Sequence, residues 1–330
     1  MPDAVTPDRS TSTPPRVVLD CDPGHDDAMA IIAAAAYADL VGITTVAGNA
    51  PLERTTHNAR VMRDLMGLDV PIHSGSPRPL IAEPSFGAFV HGESGLDGAD
   101  LPAPTTALDG VDAVSFIIES CRSIDDLWLV PVGPLTNIAL ALRAAPDIAQ
   151  RIAGISLMGG GTFGNRVPSA EFNIWADPEA AAIVFGYGGR LIMAGLDVTH
   201  RFQATPERID RIAGLDGVLA DVLADLLGFF SANYISRHDA GALRGAAVHD
   251  PLAVFAITHP TAFDRVDRHV VVETRGEHTR GMTVIDQRTI LDRRAANAEV
   301  LVDVDDDAVF DLLIDAIARY SSPHFPTVWS

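Results

Sequence analysis

The chain has 330 residues, of which 47% are hydrophobic and 21% are charged, so it is long enough to bury a large core. Its formal net charge of -20 disfavours binding to nucleic acid phosphates and to anionic membrane surfaces, and neither is predicted as a partner. The sequence contains no lysine, which excludes a Schiff-base lysine and a P-loop lysine.

The first 15 residues differ in composition from the rest of the chain. They are polar and rich in proline, which predicts a disordered tail rather than a signal peptide, and residues 16–330 are predicted to form one domain. Cys21 and Cys121 lie in apolar runs and are typical of buried thiols, which favours a reducing cytoplasm. No apolar run reaches the ~18 residues of a membrane span.

Short apolar segments alternate with helical segments over the first 200 residues. The predicted strands cover 16–21, 40–48, 70–75, 127–133, 154–161 and 190–199, and the predicted helices cover 26–36, 51–67, 112–121, 134–145 and 177–185. This alternation is typical of an α/β fold with an open, mostly parallel sheet and helices on both faces.

The pattern changes after residue 200. A long helical stretch is predicted over 205–236, a short helix begins at Pro251, and a closing helix covers 308–320. Between them, 266–276 and 280–289 are predicted as an extra antiparallel strand pair. Residues 75–110 hold much Gly, Pro and Ser, and such long loops often form lids or binding loops.

Oxygen-bearing side chains follow several of the predicted strands. Ligands of open α/β sheets bind beyond the carboxyl ends of the strands, so these side chains are expected to line one crevice. They are Asp20, Asp22, Asp26 and Asp27 after the first strand, Asn49 after the second, Asn165, Glu171 and Asn173 after the fifth, and Asp250 before a late helix, where His249 precedes it.

The aspartates after the first strand predict a metal site. Carboxylates packed so closely cannot all stay ionised without a cation. Several carboxylates together with a backbone carbonyl favour Ca²⁺ over Mg²⁺, which demands stricter octahedral geometry. Zinc is disfavoured, because the chain has neither an HExxH nor a CxxC motif.

Each of these residues also has a simpler interpretation. Asp26, Asp27 or Asp250 alone could be a helix N-cap, and Asn49 could occupy a left-handed turn. The glycines at 159–161 are not followed by the GxGxxG spacing of a dinucleotide site. The meeting of several strand ends at one crevice favours a functional site over these separate roles.

The stretch DCDPGHDDA resembles the DxDPGxDDA signature of the nucleoside hydrolases, the inosine-uridine preferring N-ribohydrolases. TTVAGN, HGESGLDG, VGPLTNIALAL, AEFNIWADPEAA and AAVHDPLAV match the family in the same order, so the resemblance runs from about residue 16 to the end. It implies a nucleoside hydrolase-like fold and the hydrolysis of ribonucleosides to free base and ribose. It also implies a homodimer or a homotetramer.

The resemblance further implies roles for individual residues. One Ca²⁺ would be held by Asp22, Asp27, the carbonyl of Val132 and Asp250, with Asp22 also acting as general base toward water. Family members often carry Thr where this chain has Val132, and a backbone carbonyl does not depend on that change. The ribose hydroxyls would be held by Asp26, Asn49, Asn165, Glu171 and Asn173.

The residues that contact the base are less well defined. His249 would face the base and is a candidate for stabilising it as it leaves. The other candidates are His91, Phe229, Phe230, Tyr234, Arg237, His238 and Trp175. Helix packing is an equally good interpretation of Phe229 and Phe230. The preference for purine or pyrimidine stays open, because it depends on the loops at 75–104 and 225–248.

Two other functions stay open at this point. A metal-dependent phosphatase would share the early Asp-x-Asp, but the Pro-Gly after Asp22 and the absence of lysine disfavour it. A Ca²⁺-dependent protein that binds ribose or nucleosides without turnover would keep the same residues.

Overall fold

The computed structural model describes residues 13–237, 243–289 and 293–321. Most of the predicted N-terminal tail (residues 1–12) and the candidate His238 lie outside the described residues.

An eight-stranded sheet forms the centre of the fold. Its strand order is β3-β2-β1-β4-β5-β6-β12-β9, and every neighbouring pair is parallel except β12 with β9. Two-stranded sheets join β7 to β8 and β10 to β11. The strands are β1 (Arg16–Cys21), β2 (Asp39–Thr45), β3 (Ile72–Ser74), β4 (Trp128–Pro131), β5 (Gly154–Met158), β6 (Leu191–Ala194), β7 (Gln203–Ala204), β8 (Ala246–Ala247), β9 (Phe263–Arg268), β10 (Val270–Val272), β11 (Thr283–Ile285) and β12 (Ala298–Val304).

Helices connect and cover the strands, and two buried apolar clusters pack against the sheet. The helices are α1 (His25–Tyr37), α2 (Leu52–Leu65), α3 (Ala88–His91), α4 (Ala113–Ser123), α5 (Thr136–Ala144), α6 (Phe172–Ala176), α7 (Pro178–Phe185), α8 (Leu196–Thr199), α9 (Pro206–Ala213), α10 (Val218–Ile235), α11 (Pro251–Thr258) and α12 (Asp306–Ser321). The predicted mostly parallel α/β fold and the antiparallel pair at β10 and β11 are confirmed.

Two of the predicted elements were wrong in their extent. The helix predicted over 205–236 is two helices, because the chain turns at Gly217, whose φ of 122° favours glycine. The strand predicted over 190–199 ends at Ala194, and α8 follows it. The strand predicted over 266–276 joins the end of β9 to β10, and β12 has no counterpart among the predicted strands.

Helix α10 is the one helix among the described residues that is long and apolar enough to cross a membrane by length and composition. Its residues Leu223, Leu226 and Leu227 are fully buried in the larger apolar cluster. This burial is typical of a core helix.

The order of the sheet fixes the place of the crevice. The chain moves outward from β1 through β2 to β3, and then returns to the other side of β1 to form β4. The carboxyl ends of β1 and β4 therefore lie at a topological switch point, where open α/β sheets bind ligands. Asp20 at the end of β1 ties this region together by accepting hydrogen bonds from Thr44 Oγ1 at 2.6 Å and from Asn137 Nδ2 at 2.8 Å.

Candidate active site

Four buried aspartates meet at the end of β1. One carboxylate oxygen from each of Asp26, Asp27 and Asp250 lies within 4.8 Å of the others. The charge of Asp27 also raises the pKa values of Asp22 and Asp250, which places all four carboxyl groups close together. The first strand, the first turn of α1 and the start of α11 thus bring their acidic side chains to one point.

Backbone groups orient the Asp27 carboxylate. Its Oδ1 accepts from the N–H of Asp22 at 3.0 Å, and its Oδ2 accepts from the N–H of Gly24 at 2.9 Å. Gly24 is the N-cap of α1, so Asp27 satisfies a helix-end donor while it stays in the cluster. Both interpretations of Asp27, a capping residue and a member of the acidic site, therefore hold at once.

Asp250 is not used as a cap. It stands at the N-cap position of α11, but its side chain makes no capping hydrogen bond. The simpler interpretation, in which the Asp250 side chain caps α11, therefore does not explain why this carboxyl group is buried here. Its oxygens instead point toward the other aspartates.

The electrostatics of the cluster suit a cation. Burial and the neighbouring acids raise the pKa values of Asp22 and Asp250 well above their usual range, and burial with Asp27 raises that of Asp26 to about 8. Asp22 Oδ1 is buried and has no hydrogen-bond partner among the described residues. An unpartnered carboxylate oxygen among like charges is costly without a positive charge beside it, so these residues fit a bound metal ion.

Val132 follows β4 and turns its carbonyl oxygen toward the same crevice. That oxygen accepts a hydrogen bond from Asn173 Nδ2 at 2.7 Å. Val132, Asn173 and Asp250 all line one cavity of about 260 Å³, together with Asp26 and Asn49. The lining thus joins Val132 to Asp26 and Asp250, whereas Asp22 and Asp27 are buried and are not among the residues that line this cavity.

The predicted ribose-binding residues line the same cavity. Glu171 is the N-cap of α6, where it accepts from the N–H of Asn173 at 2.8 Å, of Gly160 at 3.0 Å and of Ile174 at 3.1 Å. Burial raises the pKa of Glu171 to about 6 in spite of these hydrogen bonds. Asn165 is more exposed, and its Oδ1 accepts from the N–H of Phe172 at 2.9 Å.

The other end of the cavity carries histidines and aromatic rings. His249 Nδ1 lies 2.8 Å from Thr199 Oγ1, and its Nε2 lies 3.4 Å from the hydroxyl of Tyr234. Burial lowers the pKa of His249 well below its usual range, so the ring is neutral near pH 7. His91, Tyr234 and Arg237 line this end, as predicted for residues that contact a base.

Phe229 stands apart from the other predicted base-contact residues. It is 36% exposed and stacks on His25, whereas the cavity is lined by Phe230. Both rings stack on His25, but Phe230 is the one that reaches the cavity. Trp175 is not among the residues that line the cavity, although it touches one that does.

The contact between His25 and the predicted His91 was not expected from the sequence. His25 Nδ1 lies 3.0 Å from His91 Nδ1, and His25 Nε2 lies 2.8 Å from the carbonyl of Asp97. Because a carbonyl only accepts, His25 donates from Nε2 to Asp97, and its Nδ1 faces Nδ1 of His91. The backbone N–H of His25 also points at His91 Nδ1, at 3.4 Å. The signal for His25 was its place inside the DCDPGHDDA signature.

Arg166 and Phe89 were also missed, and both line the cavity. Arg166 follows the predicted Asn165 directly, and Phe89 lies two residues before the predicted His91. Their nearness along the chain to predicted residues was the available signal.

The chain is similar to known proteins over most of its length. Residues 17–311 match the family model described as inosine-uridine preferring nucleoside hydrolase. The pyrimidine-specific ribonucleoside hydrolase RihA of Shewanella sp. (strain ANA-3) is 44% identical over 310 residues, which cover 92% of this chain and 96% of the relative. RihA of Escherichia coli (strain SMS-3-5 / SECEC) is 42% identical over 92% of this chain and 99% of its own.

A solved structure shows the same fold. The purine-preferring ribonucleoside hydrolase from Gardnerella vaginalis superposes with a TM-score of 0.86 at 34% sequence identity, over 93% of this chain and 99% of that chain. The chain belongs to the inosine-uridine preferring nucleoside hydrolase family and is a hydrolase that acts on N-glycosyl compounds.

Proposed function

We propose that the chain hydrolyses pyrimidine ribonucleosides to free base and ribose, with one Ca²⁺ ion held by Asp22, Asp27, the Val132 carbonyl and Asp250. The observation that carries this proposal is the buried group of aspartates, in which Asp22 Oδ1 has no partner among the described residues. The pyrimidine preference is carried over from the curated relatives, which are 42–44% identical and are described as pyrimidine-specific.

The reaction breaks the bond between C1′ of the ribose and a nitrogen of the base, and a water oxygen bonds to C1′. The sugar passes through an oxocarbenium-like transition state. When bound, Ca²⁺ supplies positive charge that orients water and the ribose hydroxyls. Oxygen ligands from carboxylates and a carbonyl are the type that Ca²⁺ prefers.

Asp22 would take the proton of the attacking water. Its Oδ2 accepts the N–H of Asn49 at 2.6 Å, which leaves the unpartnered Oδ1 for the water. The proton acceptor must lie within hydrogen-bond reach of the water, and the buried Oδ1 is the oxygen that is free for that contact. The surrounding carboxylates would also stabilise the positive charge that develops on the sugar.

The ribose would lie between the acidic cluster and α6. Asp26 and Asn49 would hold hydroxyls on the metal side, and Asn165, Glu171 and Asn173 would hold the rest of the sugar. All five residues line the cavity. Holding the sugar at several points fixes C1′ beside Asp22, which lowers the entropic part of the barrier.

The leaving base would lie against His91, Tyr234, Arg237 and His249. Because His249 is neutral near pH 7, we expect it and the Tyr234 hydroxyl to stabilise the base by hydrogen bonding. Phe230 would supply an apolar wall. Assembly as a homodimer or homotetramer and a cytoplasmic location stay predictions of the sequence.

The proposal is tested by incubating the purified protein with uridine, cytidine, inosine and adenosine in calcium, and measuring free base and reducing sugar. We expect release from uridine and cytidine to exceed release from the purine nucleosides. Binding of nucleosides without base release would support a binding protein instead. Phosphate release from a nucleotide with an intact nucleoside left over would support a phosphatase.

A further inference from the structure

Arg166 occupies an unusual position at the rim of the cavity. Its guanidinium carbon lies 4.3 Å from the ring centroid of Trp175 and 5.2 Å from that of Phe89. Trp175 belongs to α6 and Phe89 belongs to α3, so the guanidinium bridges two separate elements. Aromatic faces on a guanidinium hold it in place and leave its edge free for hydrogen bonds.

The hydrogen-bonding capacity of Arg166 is largely unused. Its Nη2 donates to Ser85 Oγ at 3.2 Å, while its Nε is buried and has no partner among the described residues. It forms no ion pair with any carboxylate in the described part of the chain. Elsewhere arginines pair with acids, as Arg280 does with Glu179 at 2.7 Å.

A second guanidinium lies near the same ring. Arg237 at the end of α10 places its guanidinium carbon 5.0 Å from the Phe89 centroid, and it also lines the cavity. Two positive groups therefore converge on Phe89 in a protein whose net charge is -20. They make the rim locally positive beside an interior that is rich in carboxylates.

The proposed function fixes which part of a nucleoside would face Arg166. The 2′ and 3′ hydroxyls would face the acidic cluster, and the base on C1′ would face His91, Tyr234 and His249. The remaining substituent of the ribose is the 5′ carbon. The 5′ carbon would therefore face Asn165 and Glu171. Arg166 lies on this side, because it follows Asn165 in the chain and stacks on Trp175. Trp175 belongs to α6, the same short helix as Asn173.

We propose that Arg166 forms a binding subsite for an anionic 5′ substituent, so that the same site also hydrolyses pyrimidine ribonucleoside 5′-monophosphates. This proposal depends on the proposed function for the position of the ribose. Water would add to C1′ as the C1′–N bond breaks, one water proton would end on the base, and the products would be free base and ribose 5-phosphate. Guanidinium groups are well suited to phosphate, since they donate parallel hydrogen bonds to its oxygens.

The test compares uridine with uridine 5′-monophosphate as substrates of the calcium-loaded, full-length protein. We expect uracil and ribose 5-phosphate from the monophosphate. Arg166→Gln should lower the ratio of kcat/KM for the monophosphate to that for uridine by roughly 10- to 100-fold, the size of a lost charged hydrogen bond. Arg166→Lys should restore part of the ratio, because it keeps the charge.

The matched control is Arg151→Gln. Arg151 is exposed and lies just before β5, at the end of the strand away from the cavity, so its loss should leave the ratio unchanged. Ribose 5-phosphate should also inhibit uridine hydrolysis more strongly than ribose does, and Arg166→Gln should remove that difference. This inhibition measures the subsite without requiring turnover of a nucleotide.

Three results would overturn the subsite. The first is that the protein cleaves uridine but releases no uracil from uridine 5′-monophosphate, and that ribose and ribose 5-phosphate inhibit equally. This result would leave the proposed function intact. The second is an equal fall for both substrates in a folded Arg166→Gln variant, which indicates that Arg166 only positions Phe89 and Trp175. The third is conversion of the monophosphate to uridine and phosphate. Failure to cleave uridine would reject the proposed function together with the subsite.

Discussion

Asn49 contacts Asp22 twice. Its backbone N–H donates to Asp22 Oδ2 at 2.6 Å, and its side-chain Nδ2 donates to the carbonyl oxygen of Asp22 at 3.2 Å. The same Nδ2 reaches Asp27 Oδ2 at 3.0 Å. A residue at the end of β2 thus fixes the carboxylate that follows β1, and the fixed orientation leaves Oδ1 as the free oxygen of Asp22.

The first prediction concerns this free oxygen. Asp22→Asn keeps the size of the side chain but removes the proton acceptor, so we expect kcat for uridine to fall by about 10²- to 10⁴-fold. Base release in calcium measures the change, and circular dichroism checks that the variant is folded. Activity within a few-fold of the wild-type protein would show that Asp22 is not the general base.

A second prediction uses the space around Asp22. A Cβ atom on Gly133 would lie 2.3 Å from Asp22 Oδ1, so Gly133→Ala should displace the carboxylate and reduce kcat at least tenfold. The control is Gly228→Ala in α10, where a Cβ would meet nothing within 4 Å. That variant should keep its activity and gain about 0.5–1 kcal/mol of stability. Equal activity of the two variants would contradict the position assigned to Asp22.

A third prediction concerns stability and the acidic cluster. Repulsion among the buried aspartates destabilises the metal-free fold, so calcium at 100 times its Kd should add about 2.7 kcal/mol and raise Tm. Asp250→Asn removes one charge and one ligand. We expect it to abolish the calcium-induced rise in Tm without lowering Tm in chelator. Scanning calorimetry with and without calcium measures both values.

The control for that measurement is Asp210→Asn, a neutralisation at an exposed position of α9. It should respond to calcium as the wild-type protein does. A full calcium response in Asp250→Asn would remove Asp250 from the metal site.

A fourth prediction concerns pH. Burial raises the pKa of Glu171 from 4.5 to about 6, so its carboxylate becomes protonated as the pH falls through about 6. Protonation weakens an acceptor that holds three backbone N–H groups and, by proposal, the ribose. We expect kcat/KM for uridine in saturating calcium to decline below about pH 6. Glu171→Gln should lower activity at pH 7, and its kcat/KM should no longer decline below pH 6. If the variant keeps the pH profile of the wild-type protein, another group causes the decline.

The sequence was sufficient to predict that several polar side chains gather at one edge of the sheet. Apolar runs of the right length marked β1, β2, β4 and β5, and the polar residues after them had to meet at one edge of a parallel sheet. Asn49 and Glu171 lie far apart in the chain, and both line the cavity as expected. Composition and topology thus placed the acidic cluster before any distance was known.

Strands β9 and β12 show what local pattern leaves out. The sequence of β9 is FDRVDR, in which charged residues interrupt the apolar ones. Most of its positions are partly or fully exposed, because β9 lies at the edge of the sheet. In β12 the pairing with β9 shifts register between Leu301 and Asp303, which disturbs the alternation. Both strands are set by long-range pairing, so periodicity within a short window found only the end of β9 and did not detect β12.

The rim of the cavity was equally hard to predict. The stacking of Arg166 on Trp175 and the contact of His25 with His91 join residues from separate loops and helices. Such contacts depend on how the loop before α6 packs on α6 and how α3 packs on α1, which no single segment encodes. The motif that contains His25 indicated its importance but not its partner.

The most direct test of the account is uridine hydrolysis by protein stripped of metal with a calcium chelator. The account predicts that uracil release stops in chelator, returns when Ca²⁺ is added, and does not return in Asp250→Asn at the same calcium concentration. Sustained uracil release by the stripped wild-type protein would contradict a calcium site built from these buried aspartates.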